Sequence, residues 1–220
     1  AAPPERPATI CRTLEQPSQQ RKERTTLAAE AATGYPVTFS VDYPDRDLNR
    51  LTTAFRIFVA LPILVIVSVI GASVLTTPTA LMILFRQKYP RWWYSFNLEL
   101  MRFESRVAVY LALMRDEYPS TDEEQAVHLD LPYPDVQQDL NRWGPLYKWL
   151  LAIPHYLVLS VLGTVAIFVV IVAWFAILFT GRYPRGLFDF VEGVMRWSVR
   201  VLGYAFVLVT DVYPPFRLSA

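Results

Sequence analysis

Two long stretches without formal charge constrain this chain more than any other feature. Ile57–Phe85 contains no Asp, Glu, Lys, Arg or His over 29 positions, and Trp149–Gly181 contains only His155 over 33. Uncharged apolar runs above about 18 residues read as membrane spans. Composition agrees: charged residues make up 19% of the 220, against about a quarter in a soluble domain. The net charge of +1 gives no electrostatic case for a nucleic-acid partner. Cys11 is the only cysteine, which excludes an intrachain disulfide and a thiolate metal cluster. No metal and no cofactor are expected.

Residues 1–34 are polar, with four prolines and mixed charges, and read as a flexible tail. They contain no apolar stretch of signal-peptide type, and the Arg21-Lys22-Glu23-Arg24 run reads as solvated. Beyond them the sequence matches itself at an offset of 90–95 residues. Asp47-Leu48-Asn49-Arg50 recurs as Asp139-Leu140-Asn141-Arg142, and Tyr89-Pro90-Arg91 as Tyr183-Pro184-Arg185. Met101-Arg102, Arg106, Tyr110 and Asp116 recur as Met195-Arg196, Arg200, Tyr204 and Asp211. The organisation expected is a tail over 1–34, a membrane repeat over 35–120 and a second over 127–217.

Each unit opens with alternating apolar residues, Val37–Val41 and Val127–Leu131, which suit half-buried strands able to pair with each other. The apolar segment follows. Its 29 residues would make a helix about 43 Å long against roughly 30 Å of hydrocarbon, so kinks are expected at Pro62 and Pro154. The spans proper are expected at Pro62–Phe85 and Pro154–Phe179, with Trp143, Tyr147 and Trp149 in the aromatic belt. A basic Tyr-Pro-Arg turn leads into a second helix, Trp92–Met114 or Gly186–Val209. This helix carries a polar stripe of Glu99, Arg102 and Arg106, or Asp189, Glu192, Arg196 and Arg200. The fold class expected is an all-α integral membrane protein. It is a tandem repeat of about 92 residues, each unit with a long kinked transmembrane helix and a second amphipathic or transmembrane helix, plus two short β-strands at the membrane surface.

The runs Ala152-Ile153-Pro154-His155-Tyr156, Leu178-Phe179-Thr180-Gly181-Arg182-Tyr183-Pro184-Arg185-Gly186-Leu187-Phe188-Asp189-Phe190 and Tyr213-Pro214-Pro215-Phe216 closely resemble a bacterial membrane family, domain of unknown function 4389. The first unit departs from that pattern, with Arg86-Gln87 in place of Thr180-Gly181. The resemblance implies an integral bacterial membrane protein, often with the unit present twice, and implies no activity.

His155 is the one group titrating near neutral pH inside an apolar run, which makes it a candidate ligand for a haem or chlorophyll, or a proton sensor. Its counterpart is Ile63, so no paired ligand exists, and a structural bond to a carbonyl freed at Pro154 is preferred. The stripe residues Arg102, Arg106, Glu192, Arg196 and Arg200 could line a polar path. The simpler account is a packing or interfacial face. Tyr89-Pro90-Arg91 and Tyr183-Pro184-Arg185 read as structural punctuation at the headgroup level. No catalytic motif is present. The expectation is a non-enzymatic membrane module, an accessory or assembly subunit docking onto a larger complex; the alternative is a small transporter or channel subunit using the Arg/Glu stripe. Its partners would be the bilayer and other membrane subunits. Its place would be the bacterial cytoplasmic membrane, as a multi-pass protein with a cytoplasmic N-terminus.

Overall fold

A computed structural model describes residues 35–70, 73–121, 123 and 125–219. The tail expected over 1–34 and Cys11 lie outside the described residues. The unit from Pro36 onward begins with strand β1 (Thr38–Val41), followed by helices α1 (Arg50–Ile70) and α2 (Ser73–Leu81), a π-helical turn (Met82–Arg86) and α3 (Arg91–Leu111). Then come β2 (Val127–Asp130), α4 (Gly144–Leu151), α5 (Ile153–Thr180), α6 (Arg185–Leu202) and a second π-helical turn (Gly203–Val207).

Local chemistry sets these ends. Asn49 caps α1, its Oδ1 accepting from the Leu51 N–H at 3.0 Å. Pro154 falls in the first turn of α5, where a missing N–H costs nothing. The kink expected at Pro154 is therefore a break between two helices at Ala152, whereas α1 runs on through Pro62. Gly181, at φ 78°, closes α5 by donating to the Ile177 carbonyl at 2.8 Å. Its sequence counterpart Gln87 is also left-handed, at φ 45°. Leu113 and Leu208 form another such pair, at φ 64° and 60°, and turn the chain after α3 and α6 earlier than the apolar pattern suggests. Leucine in that conformation costs about 1–2 kcal/mol, so packing holds both.

The two strands pair antiparallel, with Phe39 opposite Leu129. Those two residues are counterparts in the sequence match, so the pairing is centred on a local two-fold axis. Phe39, Val41, Val127 and Leu129 point inward, and Thr38, Ser40, His128 and Asp130 point outward. The middle layer is α3 and α6. On α6, Arg196 reaches the Phe39 carbonyl at 2.8 Å and the ring of Phe188 meets that of Tyr43 at 5.0 Å. Roughly half a turn round the same helix, Trp197 and Val201, with Tyr204 of the π-helical turn that follows, pack on Ala152, Tyr156 and Leu159 at the start of α5. The α3 helix repeats this, with Arg102 on β2, Tyr94 on the Leu131 carbonyl just after it, and Val107 and Tyr110 on Ala60 and Ile63 of α1. The outer layer is α1 and α5, joined where the Trp174 indole donates to the Thr53 carbonyl at 3.2 Å.

The expectation of an all-α integral membrane protein with several spans is corrected by this arrangement. Among the described residues one helix, α5, is long and apolar enough to cross a membrane. The first apolar run is carried by α1, which also takes in Arg50 and Arg56, and by α2 and a π-helical turn. The second helices, α3 and α6, do not qualify either, because their charges recur along the length of each helix.

Candidate functional site

The polar groups gather into three sets, two of which occur in matched pairs. In the first set each half grips the other half's strand. Arg102 on α3 donates through Nε to the Leu129 carbonyl of β2 at 3.0 Å, and Arg196 on α6 donates to the Phe39 carbonyl of β1 at 2.8 Å. Arg102 also pairs with Glu99 at 2.7 Å and with Asp130 at 3.2 Å. Arg196 pairs with Glu192, whose Oε1 accepts from the Val41 N–H at 3.2 Å. The remaining stripe arginines hold the segments that follow: Arg106 donates to the Ser120 carbonyl at 2.6 Å and the buried Arg200 to the Ser219 carbonyl at 3.0 Å. Asp189 is exposed. The Tyr-Pro-Arg turns are crossed in the same way. The Tyr133 hydroxyl donates to the Tyr89 carbonyl at 2.6 Å and the Tyr43 hydroxyl to the Tyr183 carbonyl. The guanidiniums of Arg91 and Arg185 lie 5.2 and 4.4 Å over the rings of Tyr133 and Tyr43. Pro90 and Pro184 stand immediately before α3 and α6 and set the approach.

The second set was not singled out from the sequence. Arg56 and Lys148, both almost fully buried, occupy matched positions on α1 and α4. Arg56 pairs with Asp116 and donates to the Tyr110 and Arg115 carbonyls at 3.0 and 2.9 Å. Lys148 pairs with Asp211 at 2.6 Å and donates to the Thr210 carbonyl at 2.8 Å. Each aspartate also accepts the backbone N–H of the matched asparagine, Asn49 at 2.7 Å and Asn141 at 2.6 Å. Each cation faces a tyrosine ring, Tyr110 at 4.6 Å or Tyr204 at 5.3 Å. Burial pulls the Lys148 ammonium below its usual range, and Asp211 pushes it back. One aspartate thus ties a helix start, a buried cation and the chain end of its unit.

The third set is His155. It is fully buried, and its Nδ1 accepts the Trp197 indole N–H at 3.1 Å, which assigns the ring proton to Nε2. The expected carbonyl bond at Pro154 is replaced by this one. Phe216 stacks on the ring at 4.0 Å, closing it off. Among the described residues no group of three or more His, Cys, Asp or Glu gathers to hold a metal.

The buried phenols of Tyr89 and Tyr183 supply a prediction. Burial raises both above the usual 10.0. The folded chain therefore keeps protons that the unfolded chain releases, so stability is full below pH about 10 and falls as pH rises beyond it. Among the described residues the Tyr183 hydroxyl has no hydrogen-bond partner, whereas that of Tyr89 donates to the Val207 carbonyl at 3.2 Å. Tyr183→Phe is expected to stabilise by about 1 kcal/mol and to reduce the alkaline loss. Tyr89→Phe should destabilise by a similar amount. Urea unfolding of the detergent-solubilised protein at neutral pH and at about pH 11 reads both effects.

Among the described residues one helix, α5, is long and apolar enough to cross a membrane, which points toward membrane association. Residues 142–217 match the family model described as Domain of unknown function (DUF4389). The match takes in α4, α5, α6 and the segment over His155. The first half lies outside it. No curated protein and no solved structure matches the chain.

Proposed function

We propose that this protein is a non-enzymatic membrane module, an accessory or assembly subunit that docks onto a larger membrane complex in the bacterial cytoplasmic membrane. One observation carries the reading. The stripe arginines are engaged with carbonyls and carboxylates inside the chain, while large apolar side chains are left outside. Ile57, Phe58, Phe168 and Phe179 are 72, 68, 64 and 79% exposed. Isolated apolar residues at a surface are ordinary, but a continuous face of this kind marks contact with lipid or protein. A transport path through the stripe would need arginine donors free to meet a solute. The fixed bonds of Arg102 and Arg196 favour the docking reading instead.

Purification from native membranes in mild detergent tests it. A partner retained in fixed stoichiometry is the expected result. A lone chain that conducts ions or solute in liposomes would overturn the proposal.

A further inference from the structure

We infer that α1 and α5 lie in the plane of the membrane, seated in a single leaflet, with the two-stranded sheet facing water. The inference rests on the membrane reading above and specifies how the module meets lipid. It starts from the three layers. Along α5, the positions turned to the protein recur at three- and four-residue steps from His155 to Ile177. The helix therefore has one face on the body over its whole length and does not project from it. Both of its ends are tied to that body. Beside its start, the Tyr213 hydroxyl donates to the Leu151 carbonyl at 3.2 Å; at its end, the Leu48 N–H donates to the Gly181 carbonyl at 2.8 Å.

The far side of the slab is polar. Its outer surface carries Thr38, Ser40, Asp130 and the exposed His128–Asp42 pair at 3.0 Å. The strand β1 runs along α6, from Val37 beside Gly203 to Tyr43 beside Phe188. Because α6 packs back along α5, an upright α5 would carry this polar surface to the depth of the hydrocarbon. Polar groups facing lipid there have no water to replace their hydrogen bonds. Seating α1 and α5 flat leaves the apolar layer in lipid and the sheet in water. It also removes the length mismatch, since 28 residues make a rod of about 42 Å.

Charge at the rim points the same way. Arg50 and Arg182 lie near the end of α5, whereas Arg142, which precedes α4 on the way into α5, donates to the Leu84 carbonyl two residues before Arg86, with Lys88 close after; all five are exposed. Basic residues flanking apolar segments favour the cytoplasmic side. A crossing helix would place one of these groups on the opposite side, whereas a flat one sets both against the anionic headgroups of the cytoplasmic leaflet.

The test uses the full chain in a Cys11→Ser background with single substitutions at exposed sites: Gln138→Cys before the start of α5, Thr180→Cys at its end and Ser40→Cys on the sheet. Spheroplasts and inverted membrane vesicles are treated with an impermeant maleimide, and denatured samples confirm that each thiol reacts. Labelling of all three in inverted vesicles and of none in spheroplasts is expected. Positions 138 and 180 reacting from opposite sides would overturn the inference and show an upright helix. Position 40 reacting only after denaturation would overturn it as well, because the sheet would then be covered by a subunit. Extraction of the chain from vesicles by alkaline carbonate reports separately on the membrane reading; release into the supernatant would defeat that reading itself.

Discussion

Arg56→Ala should lower folding stability by about 3–5 kcal/mol, the cost of breaking a buried ion pair by removing one partner. The guanidinium has three acceptors, Asp116 and the Tyr110 and Arg115 carbonyls, and it is almost fully buried. Without it, the Asn49 N–H is the one close hydrogen-bond donor left to the Asp116 carboxylate among the described residues. Lys148→Ala should cost a similar amount at the matched site, where Asp211 is left behind. Arg56→Lys is the informative control. Lys148 shows that an ammonium can meet the aspartate and one carbonyl, so this change should cost only about 1 kcal/mol, for the one carbonyl left unbonded. Urea midpoints for the three variants in one detergent give the comparison. Equal losses for Arg56→Ala and Arg56→Lys would show that shape, and not charge, holds the site.

The second large effect is expected at Arg196. Its guanidinium joins Glu192, the Phe39 carbonyl and the Leu218 carbonyl, and so fastens β1 and the end of the chain to α6. Arg196→Ala strips three acceptors at once and should cost about 3 kcal/mol or more. Arg185→Ala, one turn into the basic segment, removes mainly a stacking contact on Tyr43 and should cost about 0.5–1 kcal/mol. The yield of folded, monodisperse protein should follow the same order. Comparable yields, with solute uptake lost only in Arg196→Ala, would instead mark that arginine as part of a transport path.

How much of this could be read from the sequence depends on what kind of information each feature carries. The strands were legible because alternation at Val37–Val41 and Val127–Leu131 is a property of each segment alone. The long apolar helix α5 was legible for the same reason. The arginine stripe showed which helix face was polar, but periodicity cannot say what that face meets, and here it meets carbonyls on the other half's strand. The cation–aspartate pairs were missed although a signal existed. Arg56 and Lys148 stand 92 positions apart, as do Asn49 and Asn141, but a change from Arg to Lys hides in an alignment read letter by letter. The expected multi-span fold failed at a different step. Apolar length is counted along the chain, whereas the outward polar face of β1 and β2 exists only once two distant strands have paired. His155 lies between these cases: its place in an apolar run was legible, whereas its bond to Trp197 depends on the helix that follows α5.

The pairing of Phe39 with Leu129 also orders events during synthesis. The strand β1 leaves the ribosome about 90 residues before its partner, which at roughly 5–20 residues per second is a delay on the order of ten seconds. For that interval β1 has an open edge, and Arg102 has no carbonyl to reach on β2. Its own arginine, Arg196, is translated later still. The first half therefore cannot complete itself and must wait, already carrying the apolar length of α1. An unpaired edge beside exposed apolar surface is the state in which chains associate wrongly. Delivery of the nascent chain to the membrane before residue 130 emerges would shield that surface, which makes the timing of targeting a condition for correct folding.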